Sequence, residues 1–92
     1  MTPMVTVAAT AEGGGWRCSV EVVEDGDRSR HTVRLRSADL QRWGQPGETP
    51  DQFVARAFEF LLAREPAAQI LDSFEVADIT RYFPDFDREM RG

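Results

Sequence analysis

Trp16-Arg17-Cys18-Ser19-Val20-Glu21-Val22-Val23-Glu24-Asp25-Gly26-Asp27-Arg28-Ser29-Arg30-His31-Thr32-Val33-Arg34-Leu35-Arg36 alternates apolar and polar residues on both sides of an Asp-Gly dipeptide. Period-two alternation marks a strand with one buried face, and Asp-Gly favours the tight turn between two such strands. The stretch therefore reads as a β-hairpin. Alternation also sorts the faces. Trp16, Cys18, Val20 and Val22 share a side with His31, Val33 and Leu35, while Arg17, Ser19, Glu21, Arg30, Thr32, Arg34 and Arg36 share the other. A two-residue turn at Asp25-Gly26 sets Glu21 opposite Arg30, Ser19 opposite Thr32 and Val20 opposite His31. A four-residue turn sets Val20 opposite Val33 and Cys18 opposite Leu35, with the faces unchanged. The faces are fixed more firmly than the register.

Upstream, Met4-Val5-Thr6-Val7 has strand composition, so residues of about 4–8 form either a third strand or a frayed tail. The flexible Gly13-Gly14-Gly15 connection suits both, and residues 1–15 are expected as a flexible lead if no strand forms. Downstream, Ser37 to Trp43 reads as a short helical turn with Ser37 as N-cap, closed by Gly44 and Pro46. Thr49-Pro50-Asp51-Gln52 then opens the main helix, with Thr49 and Gln52 as a capping box and Pro50 at the first helical position. It runs over about 49–64, because the residue before Pro66 is pushed out of the α region.

On that helix Phe53, Val54, Ala57, Phe58, Phe60, Leu61 and Leu62 span about 200°, twice a one-sided amphipathic stripe. Two covers are needed: the sheet on one side, and the C-terminal segment or another subunit on the other. Pro66 to Leu71 reads as one more helical turn. Asp72 and Glu75 cap a second helix over about 73–83, carrying Phe74, Val76, Ile79, Tyr82 and Phe83 and stopped by Pro84. Asp85 to Gly92 is an acidic tail able to add a last turn through Phe86 and Met90. The expected fold class is α+β: a small antiparallel sheet with helices of about 49–64 and 73–83 packed on one face.

With 92 residues, 41% of them hydrophobic, the chain is one small domain with a single core, for which oligomerisation is a natural supplement. The net charge of −5 excludes a generally basic nucleic-acid coat protein and a polybasic membrane binder. One Cys and one His exclude a disulfide framework and an ordinary single-chain zinc site. No apolar run is long enough for a membrane span and no secretion signal is evident, so a cytoplasmic location is expected. All basic residues are Arg and Asn is absent; Lys and Asn codons are AT-rich, which points to a high-GC, bacterial genome.

Few residues point to chemistry. Cys18 and His31 lie on one hairpin face as diagonal neighbours, with Cβ atoms about 7–8 Å apart. That is long for a thiolate–imidazole pair, and no oxyanion turn or third orienting group accompanies them, so core filling is the better reading. Gly13-Gly14-Gly15 lacks the phosphate-loop spacing and precedes a strand. Asp25-x-Asp27 and Asp85-x-Asp87 lack the rest of a calcium loop. No metal and no cofactor are expected.

The charge distribution says more. Residues 28–42 carry a net +4 through Arg28, Arg30, Arg34, Arg36 and Arg42, whereas residues 44–92 carry −5. Arg30, Arg34 and Arg36 with Thr32 between them form a candidate surface for an anion or an acidic partner, nucleic acid included. No aromatic platform for bases stands among them. Trp16 and Trp43, flanking the hairpin and the loop after it, are either edge seals of the core or exposed interaction anchors.

The run Phe58-Glu59-Phe60-Leu61-Leu62-Ala63-Arg64-Glu65-Pro66, with Ile70-Leu71, Phe74, Ile79 and Tyr82-Phe83-Pro84, resembles a group of short bacterial hypothetical proteins. There too a hairpin precedes the helices; the resemblance covers about residues 16–88 and implies no activity. A strand pair followed by a helix opening on Gly47-Glu48-Thr49 also resembles HicB-like antitoxins. The first expectation is a non-enzymatic protein-interaction module, self-associating because the apolar arc is wide and the core small, with its exposed sheet edge and Arg face complementary to its own acidic C-terminal half in a salt-sensitive contact. The alternative is an antitoxin-like or nucleic-acid-binding regulator using the Arg-rich strand face.

Overall fold

The computed structural model describes residues 3–91. Three long strands, β1 (Met4–Glu12), β2 (Gly15–Glu24) and β3 (Asp27–Arg36), form an antiparallel meander. A short β4 (Ser73–Glu75) joins in parallel at the edge of β3, giving the order β1-β2-β3-β4. Four helices follow the meander or interrupt the return to it: α1 (Ser37–Trp43), α2 (Pro50–Leu62), α3 (Ile79–Tyr82) and α4 (Phe86–Arg91). The fold class is α+β, as expected.

Both tight turns have their two central residues at positive φ: 40° and 81° at Gly13-Gly14, 52° and 83° at Asp25-Gly26. Such turns carry the twist of the strands they join and keep the residue count between strands even. The β2–β3 register is consequently the two-residue one, with Glu21 opposite Arg30, Val20 opposite His31, Cys18 opposite Val33 and Trp16 opposite Leu35. The strand question upstream resolves in favour of a strand, and a longer one than residues 4–8: β1 pairs with β2 from Met4–Val23 to Glu12–Gly15. Met1 and Thr2 lie outside the described residues. Only two of the three consecutive glycines make the turn. The third enters β2, where a Cβ at Gly15 would collide with the carbonyl oxygen of Leu35.

The expected helix over 73–83 is replaced by three shorter pieces: β4, a 3-10 turn at Val76–Asp78 and α3. Backbone pairing explains the change. The outer edge of β3 needs a partner, and Thr32 N–H donates to the Asp72 carbonyl at 2.7 Å. One residue away, Nδ1–H of the buried His31 donates to the Leu71 carbonyl at 2.8 Å, and Ser29 Oγ lies 2.9 Å from Nε2. Phe74 adds a ring contact to Phe58 at 6.0 Å, itself 5.4 Å from His31. These contacts outweigh helical spacing, and Tyr82, one of the residues that suggested it, is exposed. A parallel pair thereby enters a sheet expected to be antiparallel.

The opening of α2 follows the capping-box reading: Thr49 Oγ1 accepts from Gln52 N–H, and Gln52 Oε1 accepts from Thr49 N–H at 3.1 Å. Its wide apolar arc is covered inside one chain. Phe53, Val54, Ala57, Phe58, Phe60 and Leu61 are all buried, with α2 packed against β1 and β2 of the sheet and against α4, and Phe60 edge-on to Phe83 and Phe86. The arc therefore gives no reason to invoke another subunit. Residues 85–91 are no solvated tail: Phe86 and Met90 are core residues, with Phe86 edge-on to both Trp43 and Phe60.

Arg56 closes this helical layer. Its guanidinium grips Glu48 with two bonds of 2.8 and 2.9 Å, donates to the Met90 carbonyl at 2.8 Å and reaches the Trp43 carbonyl at 3.2 Å. One side chain thus ties α2 to the end of α1, the connecting loop and α4. Arg64 makes a second tie, with its guanidinium 3.5 Å above the Phe60 ring and 2.6 Å from Asp85. Arg56→Ala would strand the mostly covered Glu48 carboxylate and two carbonyls, and should cost about 2–4 kcal/mol in denaturant unfolding. Hydrogen bonding from Arg56 holds the Glu48 carboxyl below its usual range. A lowered folded-state value means the stabilisation is present above the ordinary carboxylate range and lost as pH falls through the lowered value. Glu48→Gln should therefore flatten the acid limb of stability against pH, read by unfolding at a series of pH values.

Candidate functional site

Every described helix packs on one side of the sheet, and no described element covers the other. The residues on it form cross-strand rows that follow from the register: Met4, Val23 and Arg28; Thr6, Glu21 and Arg30; Ala8, Ser19, Thr32 and Ser73; Thr10, Arg17, Arg34 and Glu75; Glu12, Gly15 and Arg36. The face has a middle of small and hydroxyl side chains and arginines toward its ends. Arg30, Arg34 and Arg36 are all exposed here, with Thr32 among them, so the expected Arg surface exists as one continuous face. Arg17, which the alternation places on this side, stands exposed on the same face between Thr10 and Arg34.

The guanidinium groups are not free. Glu12 lies 3.4 Å from Arg17 and 3.3 Å from Arg34; Glu21 lies 3.5 Å from Arg30 and 3.8 Å from Arg28; Glu75 lies 3.2 Å from Arg36. Five arginines thus share three carboxylates, two of which sequence reasoning did not bring to this face. Glu12 arrives because β1 extends past residue 8, and Glu75 because β4 docks on β3. Each exposed pair contributes little to stability, but together they reduce the field available to an incoming anion.

The two tryptophans part company. Trp43 is only 2% exposed, sits edge-on to Phe86 and donates its indole N–H to Asp87 at 2.6 Å. It is a core residue and cannot serve as an exposed anchor; the hydrogen bond also lowers the Asp87 carboxyl from its ordinary range. Trp16 is half-buried at the end of β2 and packs against the core rim. Cys18 is fully buried, diagonal to His31, and burial aided by the Asp51 charge pushes its thiol up to about 11. Both polar atoms of the His31 ring are engaged by Leu71 and Ser29. Among the described residues no group of three His, Cys, Asp or Glu converges as metal ligands would.

A second open feature is an apolar cleft of about 390 Å³ between the end of α2, β4 and α3, lined by Leu61, Ile70, Leu71, Phe74, Ile79, Tyr82 and Phe83 with Glu65, Gln69 and Asp78. Leu71 and Tyr82 stand exposed at its rim. No described helix is long and apolar enough to cross a membrane. In comparisons with known proteins no family model matches the chain, and no curated protein and no solved structure is significantly similar to it.

The state of Cys18 gives a direct check on this site. In native protein at pH 8, a thiol-reactive reagent should label it at least about a hundredfold more slowly than in denaturant, because both the thiolate and access are missing. Rapid native labelling would mean that the inner sheet face is open.

Proposed function

We propose that this chain is a non-enzymatic protein-interaction module that self-associates, working in the cytoplasm through its uncovered sheet. The observation that carries the reading is the free edge of β1. Nine residues long, it bears no charge from Met4 to Ala11 and no proline; α2 lies against its inner face, and no described strand pairs with its outer edge. An edge strand of that kind is a template for another strand unless charge, proline or a bulge blocks it. The buried, protonated Cys18 and the fully engaged His31 ring favour a non-enzymatic role. The antitoxin-like or nucleic-acid reading has less behind it, since each guanidinium of the Arg face already shares a carboxylate and no aromatic ring stands on that face.

Sedimentation equilibrium tests the reading. The protein should form dimers below about 0.5 mM, with an association constant that changes less than threefold when salt rises from about 0.05 to 0.5 M. A monomer at every concentration would overturn it. Association that collapses with salt would instead point to the Arg face meeting the acidic half of another copy. Duplex binding that weakens steeply with salt and is lost in Arg34→Gln would favour the nucleic-acid alternative.

A further inference from the structure

Resting on that self-association reading, we infer that β1 pairs antiparallel with β1 of a second copy about a two-fold axis at Ala8, joining two sheets into one. The hydrogen-bond geometry of the meander defines the contact. In a two-residue hairpin the closing pair, here Glu12–Gly15, exchanges both its bonds, and the pattern alternates from there. Thr10, Ala8, Thr6 and Met4 therefore bond to β2, while the N–H and C=O groups of Val5, Val7, Ala9 and Ala11 point outward. The same alternation from the other turn directs the Thr32 backbone away from β2, as its bond to Asp72 requires.

One antiparallel register uses all four outward residues: Val5 opposite Ala11 of the second copy, Val7 opposite Ala9, and Ala8 opposite Ala8. It forms about eight interchain backbone bonds. Side chains match in that register as well. On the helix side, Val5 and Val7 are half-buried whereas Ala9 and Ala11 are exposed, so one half of the strand is covered and the other is bare. A two-fold axis at Ala8 sets the covered half of each copy beside the bare half of the other, and sets large residues against small ones. On the open face Thr6 meets Thr10, and Glu12 meets Met4, so no like charges are opposed. A parallel in-register pairing would instead align Glu12 with Glu12.

Cysteine cross-linking combined with sedimentation tests this. Residues facing each other across the axis in a non-bonded pair lie close enough for a disulfide. Ala8→Cys should thus give a covalent dimer on oxidation with diamide, in near-complete yield at concentrations where the wild type is dimeric. Thr6→Cys, displaced along the strand from its symmetry mate, should give at least tenfold less. Buried Cys18 stays out of the reaction. Ala9→Pro deletes one outward N–H and no bond to β2, and should shift dimerisation at least tenfold toward monomer with the circular dichroism unchanged. If Ala9→Pro unfolds, the cysteine pair decides alone. A dimeric wild type in which Ala8→Cys does not cross-link selectively, or in which folded Ala9→Pro still dimerises, overturns the β1 pairing and leaves self-association standing. A monomeric wild type overturns both.

Discussion

Two turns of two residues each, both with their central residues in the left-handed region, hold the strand count in phase across β1, β2 and β3. Because the count stays even, every apolar position of the alternation faces the same way: Val5 and Val7, then Trp16, Cys18, Val20 and Val22, then His31, Val33 and Leu35. A one-residue change in either turn would send a whole strand's apolar set to solvent. The helices have only one face to cover, and all of them go there. Among the described residues no second layer covers the opposite face and no strand pairs with the outer edge of β1.

What holds the helical layer in place is more polar than the composition suggests. Arg56 on α2 and Arg64 just past its end lie over the rings of Phe53 and Phe60 of that helix and reach out to the carbonyls of Trp43 and Met90 and the carboxylates of Glu48 and Asp85. Three of the ten carboxylates in residues 44–92 are spent on internal ties of this layer: Glu48 on Arg56, Asp85 on Arg64, Asp87 on Trp43. A charge asymmetry that looks like an invitation to a partner is therefore partly an internal device. On the Arg face five arginines still stand against three carboxylates, and each guanidinium has a carboxylate beside it.

The hairpin, its faces and the opening of α2 were legible because each is a local pattern: period two around Asp-Gly, and Thr-Pro-Asp-Gln before an apolar run. The Arg face was legible for the same reason, as far as Arg30, Thr32, Arg34 and Arg36. The length of β1 was not, since Ala8 to Glu12 carries little strand preference and is held by pairing to β2. Nor was β4, which depends on contacts 40 residues apart, His31 with Leu71 and Thr32 with Asp72. Trp43 could not be assigned from sequence because its cover, Phe86, and its acceptor, Asp87, come from the far end of the chain. The wide arc of α2, covered within the chain, gives no ground for self-association; the small core, the Arg face and the open sheet edge remain as its grounds.

Amide hydrogen exchange along β1, followed as protein concentration rises, tests the central claim most directly. The account predicts that Thr6, Ala8 and Thr10 are protected at every concentration through their bonds to β2. Val5, Val7, Ala9 and Ala11 should exchange fast in dilute solution and slow at least tenfold as the dimer fills. Fast exchange of those four at concentrations where the protein is a dimer would contradict it.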